Sequence, residues 1–202
     1  MKFLILRVAK SIAYFSYIIF LSIFGRNIKI GRRVLISLDS DLAGDNLIND
    51  DCRIISSSLG CYSYISPQSI IVNCKVGRYC SIGPGCKIGL GNHPLTEYST
   101  SPYIYNDNLF KKRRDEDFSP VLIGNDCWIG ANVLILGGIT IGNGVIIGAG
   151  TIVTKSIPDF AIVVGSPGRV KRYRFDEETI KFINSSAWWD FEQDKARGIL
   201  GK

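Results

Sequence analysis

An aliphatic residue recurs at every sixth position along most of this chain of 202 residues. An α-helix repeats its buried face every 3.6 residues and a strand every 2, so neither element alone explains a period of six. Hexapeptide repeats of this kind are typical of a parallel β-helix, in which three short strands make one coil and the aliphatic residues of stacked coils point inward. The repeating positions are Ile30, Ile36, Leu42, Ile48, Ile54, Val76, Ile82, Ile88, Ile123, Ile129, Ile135, Ile141, Ile147 and Val153.

Glycines and cysteines recur in the same pattern. Several inward residues are followed directly by glycine, as in "VGRYCSIGPGCKIG", which predicts a backbone bend at a fixed place in the repeat. Cys74, Cys80, Cys86 and Cys127 each lie two residues before an inward aliphatic residue, so strand alternation points them inward as well. We expect reduced core thiols, which favours a cytoplasmic location. With no CxxC pair and one histidine, we expect no metal site.

Composition narrows the class of protein. Apolar residues make up 46% of the chain and charged residues 21%, which predicts one globular domain. The net charge of +6 would suit a nucleic acid, an anionic membrane surface or a polyphosphate ligand. No basic stripe with interleaved aromatic residues is present, and the mixed run "KKRRDEDF" predicts a solvated surface, so we expect no nucleic-acid partner.

The chain divides into three parts. Residues 1–29 form an apolar N-terminal helix, whose run from Ile12 to Phe24 is shorter than the roughly 20 residues of a transmembrane helix. This helix either caps the open end of the core or lies in the membrane interface as a peripheral anchor, residues 1–24, with its basic residues near anionic head groups. Residues 30–175 form the β-helix, with a distorted coil near 55–64 and a long excursion loop at 91–120. Residues 176–202 form a C-terminal helix, with Asp176 as N-cap, and a tail.

Several motifs carry a specific resemblance. They are "GNHPLTEYSTSPY" at the interruption, "IGNDCWIGANVLILGGITIGNGVIIGAGTIVTKSIP" where the repeat resumes, and "VVGSPGRV" with "RFDEETI" at its end. Together they resemble the left-handed β-helix acyltransferases, above all the xenobiotic or streptogramin-type acetyltransferases and their sugar O-acetyltransferase relatives. The resemblance covers roughly residues 60 to 192. It implies a left-handed coil, a homotrimer with active sites between subunits, and acetyl transfer from acetyl-CoA.

His93, the single histidine, lies where the coil gives way to the excursion. A thioester is already activated, so an acceptor hydroxyl needs only a base, and imidazole suits that task near neutral pH. The resemblance makes His93 the catalytic base, with Glu97 or a loop carbonyl as its orienting partner. No serine or cysteine with a neighbouring base is visible, so we predict direct transfer without an acyl-enzyme.

The resemblance also assigns the coenzyme side. Trp128 matches an aromatic residue against the pantetheine arm, and the N–H of Ala131 matches a donor to the thioester carbonyl, where many relatives have serine. Ala149 matches a backbone contact to the pantetheine amide. Residues near the adenine and the phosphates are Thr154, Lys155, Arg169 and Arg172.

The acceptor follows from the excursion. Its polar and aromatic residues suit stacking on and hydrogen bonding to a sugar ring, whereas a large antibiotic would call for a more apolar lining. We therefore expect O-acetylation of a sugar in surface polysaccharide biosynthesis (O-antigen or capsule), with acetylation of chloramphenicol or a streptogramin as the alternative and a non-catalytic β-helix binding protein as a remote one. One histidine excludes a γ-carbonic anhydrase, which needs three. The expected acceptor contacts are Asn92, Tyr98, Tyr103 and Tyr105, with Asn106 and Asn108 beside them.

Overall fold

The chain forms a parallel β-solenoid of about seven coils. The computed structural model describes residues 16, 17, 19, 26–105 and 118–201. The strands before the excursion are β1 (Lys29–Ile30), β2 (Leu35–Ile36), β3 (Asp41–Leu42), β4 (Leu47–Ile48), β5 (Arg53–Ile55), β6 (Ser58–Leu59), β7 (Tyr64–Ile65), β8 (Ile70–Val72), β9 (Cys74–Val76), β10 (Ser81–Ile82) and β11 (Lys87–Leu90). Those after it are β12 (Val121–Ile123), β13 (Trp128–Ile129), β14 (Leu134–Leu136), β15 (Thr140–Ile141), β16 (Ile146–Ile147), β17 (Ile152–Val153), β18 (Ala161–Val164) and β19 (Arg169–Tyr173).

As far as β17, every third strand returns to the same sheet. Sheet A has the order β1-β4-β7-β10-β13-β16-β18-β19, sheet B the order β17-β14-β11-β8-β5-β2, and sheet C the order β15-β12-β9-β6-β3. The strands pair in parallel until β19, which turns back antiparallel to β18. The chain thus passes from sheet A to B to C in each coil, through an A–B, a B–C and a C–A corner. The left hand of the coil stays a prediction.

The predicted inward ladder is confirmed. In sheet B each inward residue pairs in register with the equivalent residue of the next coil, and none is more than 2% exposed. Burying an aliphatic side chain contributes about 1.5–3 kcal/mol, so this column and its counterparts in sheets A and C contribute strongly to the stability of the fold. The members of the ladder are Ile36, Ile54, Ile71, Ile88, Ile135 and Val153.

The recurring glycine serves close packing of the coils. A Cβ added at Gly130 would lie 2.6 Å from the backbone nitrogen of Ala149 in the next coil. The left-handed backbone of that corner comes two residues later, at Asn132, with φ 57°. The bend expected at the glycine is therefore displaced, and the glycine lets successive A–B corners stack in contact.

The cysteines point inward as predicted. Cys80, Cys86 and Cys127 are buried free thiols, and each donates to a glycine carbonyl of the next coil over a sulfur–oxygen distance of 3.1 Å. Ser63 and Ser69 make the same bond one coil earlier, at 2.9 and 3.0 Å. This place in the repeat accommodates a small buried donor, and cysteine and serine both fill it.

The coil at 55–64 is not distorted, contrary to the prediction. Leu59 pairs in register with Leu42 and Val76, so the coil continues without interruption. The B–C corner between Ile54 and Leu59 is one residue shorter than the six-residue repeat, and Ser56 turns it with φ 48°. The six-residue period is interrupted here because this B–C corner has one residue fewer, and the coil itself is regular.

The C-terminal segment packs on the C–A corners. The helix Glu177–Ser186 begins after Asp176, whose carboxylate accepts from Thr179 N at 2.8 Å, so the predicted N-cap is confirmed. Where a tail was expected, a 3₁₀-helix, Trp188–Asp190, and a second helix, Gln193–Ile199, follow. The Trp188 ring lies 5.0 Å from that of Tyr79, which anchors the segment to the coils.

The N-terminal segment is described only at Ser16, Tyr17 and Ile19, which are helical. The Tyr17 hydroxyl donates to Ser40 O at 2.7 Å, and its ring packs against the apolar core. The rest of the predicted helix at 1–29 lies outside the described residues. Within the described part of the chain, no helix has the length and apolar character needed to cross a membrane.

Candidate functional site

The excursion begins at a bulge in β11. Gly89 has φ +69°, and a Cβ there would lie 2.1 Å from Val72 O, so only glycine fits. The pairing of β11 with β14 shifts register at this point, and the chain leaves the coil after Leu90. The loop returns at Phe118, whose carbonyl accepts from the Asn73 side chain. Both ends of the excursion are therefore fixed at the B–C corner.

Asn92 lies against the next B–C corner. A Cβ added at Gly137 would lie 3.2 Å from Asn92 Nδ2 and 3.1 Å from Ser119 O. The glycine thus leaves room for the Asn92 side chain between the two ends of the excursion. Asn92 is exposed, and its acceptor contact stays a prediction.

The His93 ring is oriented by a backbone carbonyl of its own loop. Nδ1 lies 2.8 Å from Thr100 O. A carbonyl oxygen only accepts, so Nδ1 carries the hydrogen and donates it. In the neutral ring Nε2 then holds a lone pair and can take a proton. Of the partners expected from the sequence, a loop carbonyl fills this role.

The three predicted tyrosines of the excursion have different surroundings. Tyr105 ends the short helix Pro102–Tyr105, and its Oη lies 3.4 Å from His93 Nδ1. The side chains of Tyr98 and Tyr103 extend outward, with relative exposures of 111% and 71%. The structure therefore brings one predicted acceptor residue directly to His93. Asn106 and Asn108 lie outside the described residues.

The predicted thioester contacts lie at the A–B corner. Ala131 and Ala149 stack in successive coils, where Gly150 N donates to Ala131 O at 2.8 Å. Neither alanine N–H donates to another group among the residues that the structure describes. Both remain available to an acceptor from outside. Trp128 lies on the outer face of sheet A, opposite Ile146, with 57% of its surface exposed.

Only two of the predicted phosphate contacts come together. Lys155 and Arg169 line one cavity of 240 Å³, formed by the last B–C corner and the turn before β19. Arg172 pairs with Ile162 on the outer face of sheet A and does not line this cavity. Thr154, next to Lys155, is exposed outside it. A cavity with two cations suits a phosphate group.

His93 and the alanine N–H groups lie at opposite ends of the strands of sheet B. His93 follows the carboxyl end of β11, and Ala131 precedes the amino end of β14, its neighbour in that sheet. One chain therefore presents the base and the backbone donors in different directions. No cluster of three or more metal-ligating side chains is present in the described ranges.

Comparison with known proteins identifies the family of this chain. The family model described as "Bacterial transferase hexapeptide (six repeats)" matches residues 120–155. A chloramphenicol acetyltransferase of Agrobacterium fabrum is 30% identical over 178 residues, which cover 82% of this chain and 85% of the relative. The chain belongs to the hexapeptide-repeat acetyltransferases.

Two further comparisons extend this result. A galactoside O-acetyltransferase of Lactococcus lactis is 37% identical over 97 residues, 48% of this chain and 42% of the relative. A crystal structure of a GDP-perosamine N-acetyltransferase variant from Caulobacter crescentus, in complex with CoA and GDP-perosamine, matches with a TM-score of 0.54 at 18% identity. It covers 73% of this chain and 57% of that one, and supports the solenoid fold. This hexapeptide-repeat protein is thus an acetyltransferase.

Sequence reasoning missed two features of this acetyltransferase site. The bulge at Gly89 carries a signal, because "IGLGNH" places a glycine inside a strand, where it often marks a bulge. The approach of Tyr105 to His93 carries none, because the loop has no repeat that would fix side-chain direction.

Proposed function

We propose that this acetyltransferase moves an acetyl group from acetyl-CoA to a hydroxyl of a sugar during surface polysaccharide biosynthesis. The hydrogen bond from His93 Nδ1–H to Thr100 O carries the proposal, because it leaves Nε2 as a base at the mouth of a polar loop. An acceptor hydroxyl needs a base of this kind, and a thioester needs no other activation.

His93 performs both proton transfers. Nε2 takes the proton of the acceptor hydroxyl as that oxygen attacks the thioester carbonyl carbon. The carbon–sulfur bond then breaks, and the imidazolium returns its proton to the leaving thiolate of CoA. Burial raises the pKa of the Cys74 and Cys86 thiols, so these cysteines stay protonated and are poor nucleophiles. Direct transfer without an acyl-enzyme follows.

Backbone donors supply the oxyanion stabilisation. Among the described residues the N–H groups of Ala131 and Ala149 have no acceptor, which supports the roles predicted for them at the thioester carbonyl and the pantetheine amide. A fixed N–H aimed at a developing negative charge needs no reorganisation, so no serine hydroxyl is required at position 131. Trp128 offers an exposed indole for the pantetheine arm, and Lys155 with Arg169 a phosphate site.

We infer a homotrimer with each active site between two subunits. The base and the N–H donors lie at opposite ends of the strands of sheet B. A second copy therefore has to bring the His93 of its B–C corner to the A–B corner of the first. Exposed apolar side chains on the faces of sheets A and B, among them Leu35, Leu47 and Leu136, favour assembly. Closed rotational symmetry gives every subunit the same contact.

The acceptor loop favours a glycan. Tyr98 and Tyr103 are exposed aromatic side chains, which can stack on a sugar ring while their hydroxyls hydrogen-bond to it. An antibiotic acceptor is the second candidate, because the alignment with a chloramphenicol acetyltransferase covers 85% of that relative's length. Both acceptors present a hydroxyl to the same base.

The cosubstrate and the thiols support a cytoplasmic location. Acetyl-CoA and free buried cysteines suit the cytoplasm. Tyr17 contacts the core through its ring and its hydroxyl, which favours a capping role for this end of the N-terminal helix. Peripheral contact of residues 1–24 with a membrane stays a prediction.

An acceptor screen tests the proposed function. The purified protein is incubated with acetyl-CoA and nucleotide sugars, oligosaccharides, chloramphenicol or a streptogramin, and release of the CoA thiol is measured. We expect release with a glycan, and by light scattering a particle of three 22.4 kDa subunits. Efficient acetylation of chloramphenicol with none of any glycan would favour the second candidate. An active monomer would contradict a shared site.

Arg169 is expected to recognise the 3′-phosphate of CoA. Replacing it with alanine should weaken binding of CoA about tenfold, since a hydrogen bond to a charged group is lost, and weaken binding of 3′-dephospho-CoA far less. Arg172→Ala, outside the cavity, is the matched control and should affect both ligands alike. Calorimetry measures the four affinities, and equal losses for the two ligands in Arg169→Ala would refute the assignment.

A further inference from the structure

We propose that Tyr105 is a positioning residue for His93, whose hydroxyl shares the Nδ1–H hydrogen with Thr100 O. The pair of oxygens then holds the imidazole in the tautomer with a free Nε2. The inference rests on the proposed function in treating His93 as the base, and it adds a residue that acts on the base and not on the acceptor.

Two oxygen atoms surround one nitrogen of His93. The Thr100 carbonyl lies 2.8 Å from Nδ1 and the Tyr105 hydroxyl 3.4 Å from it. One N–H shared between two acceptors is a three-centre hydrogen bond, with the carbonyl as its stronger arm. If Nδ1 lacked its hydrogen, the Thr100 carbonyl would face a lone pair at 2.8 Å, which is repulsive. The carbonyl therefore requires Nδ1 to carry the hydrogen, and the Tyr105 hydroxyl can only accept from it.

The ring contact adds a second constraint. The centroids of His93 and Tyr105 lie 6.5 Å apart, and the ring planes meet at 84°. This is an edge-to-face arrangement, which aromatic pairs favour. The phenol therefore restricts rotation of the imidazole as well as its tautomer.

The loop is built to bring this tyrosine back to the histidine. Pro102 opens the short helix, where its fixed φ suits the first turn. Ser101 O accepts from Ile104 N at 2.9 Å and from Tyr105 N at 3.2 Å. Thr100 immediately precedes this turn, so one local structure places both oxygens. Both polar partners that the described residues give to His93 Nδ1 therefore come from the same loop as the histidine.

This placement divides the tyrosines of the excursion by role. The Tyr105 hydroxyl is directed to Nδ1, on the far side of the ring from Nε2. Tyr98 and Tyr103 extend outward into solvent, and their assignment to the acceptor stays a prediction. Tyr105 was expected from the sequence to contact the acceptor, and the geometry points to the base instead.

Nuclear magnetic resonance tests the inference without any acceptor. His93 is the only histidine, so ¹⁵N-labelling of histidine gives one pair of ring signals, whose shifts report the tautomer. In Tyr105→Phe the ratio of the Nδ1–H to the Nε2–H form should fall about three- to fivefold, the equivalent of one neutral hydrogen bond. In the same variant kcat should fall, by no more than that factor, while KM for acetyl-CoA stays constant.

Tyr98→Phe is the matched control, since it removes a fully exposed hydroxyl from the same loop and should leave the tautomer ratio unchanged. An unchanged ratio in Tyr105→Phe would overturn the inference even if the enzyme is active. If Tyr105→Phe fails to fold, the wild-type protein decides: a nuclear Overhauser effect between the two rings supports the contact, and its absence overturns it. A shifted ratio in a protein that acetylates no acceptor would overturn the proposed function alone.

Discussion

His93→Ala should lower the rate of acetyl transfer by about 10²- to 10⁴-fold, the range over which a positioned general base contributes. The described coils offer backbone N–H donors and a cavity lined by Lys155 and Arg169, but we assign proton removal from the acceptor to this imidazole alone. The variant should still bind acetyl-CoA with nearly wild-type affinity, because the predicted coenzyme contacts lie at other corners. Steady-state kinetics by thiol release and calorimetric titration with CoA measure the two properties.

Leu95→Ala is the control for His93→Ala. Leu95 belongs to the same excursion and is 97% exposed, so its loss should leave the transfer rate within about twofold of wild type. If His93→Ala retained wild-type turnover, the proton-transfer mechanism would be wrong. If it lost acetyl-CoA binding as well as activity, the histidine would have a structural role that the exposed ring does not suggest.

The coil could be predicted because its period is a direct consequence of stacking. A residue such as Ile88 must face the core in each coil, and its partner Ile135 must do the same in the next, so both appear at the same phase of the repeat. A corner that is one residue short shifts the phase of the repeat, and nothing in the sequence pattern indicates the shift. Leu59 therefore faces the core although the six-residue period had lapsed, since only strand pairing reveals the shortened corner.

The sequence places the candidate site residues along the repeat, but it does not predict how they are arranged in space. Arg169 and Arg172 lie close in sequence, which suggested one phosphate site. Arg169 begins β19, beside the turn that forms the cavity with Lys155, whereas Arg172 lies farther along the strand, opposite Ile162, so only Arg169 lines the cavity. The excursion is harder still, because its side-chain directions depend on a turn at Pro102 that no periodicity reports.

Ile135→Ala should lower the free energy of unfolding by about 2–5 kcal/mol, the usual cost of truncating a large aliphatic side chain in a packed core. Ile135 is 1% exposed and lies in the inward column between Ile88 and Val153. Each coil of a solenoid contacts only its neighbours, so a void here weakens the junction between the coil that carries the excursion and the coils that follow.

Leu122→Ala separates this effect from the loss of any aliphatic group. Leu122 is an outward residue of sheet C and 45% exposed, so its truncation should cost less than about 1 kcal/mol. Urea unfolding followed by circular dichroism, at one fixed subunit concentration because assembly adds to apparent stability, gives both values. A larger loss in Leu122→Ala than in Ile135→Ala would mean that the outer face of sheet C is buried between subunits, which would place the subunit interface on sheet C. A larger loss in Ile135→Ala than in Leu122→Ala, as expected, would instead place the dominant stabilisation in the aliphatic column. The coil would then fix the position of His93, and the excursion loop would fix the orientation of its ring.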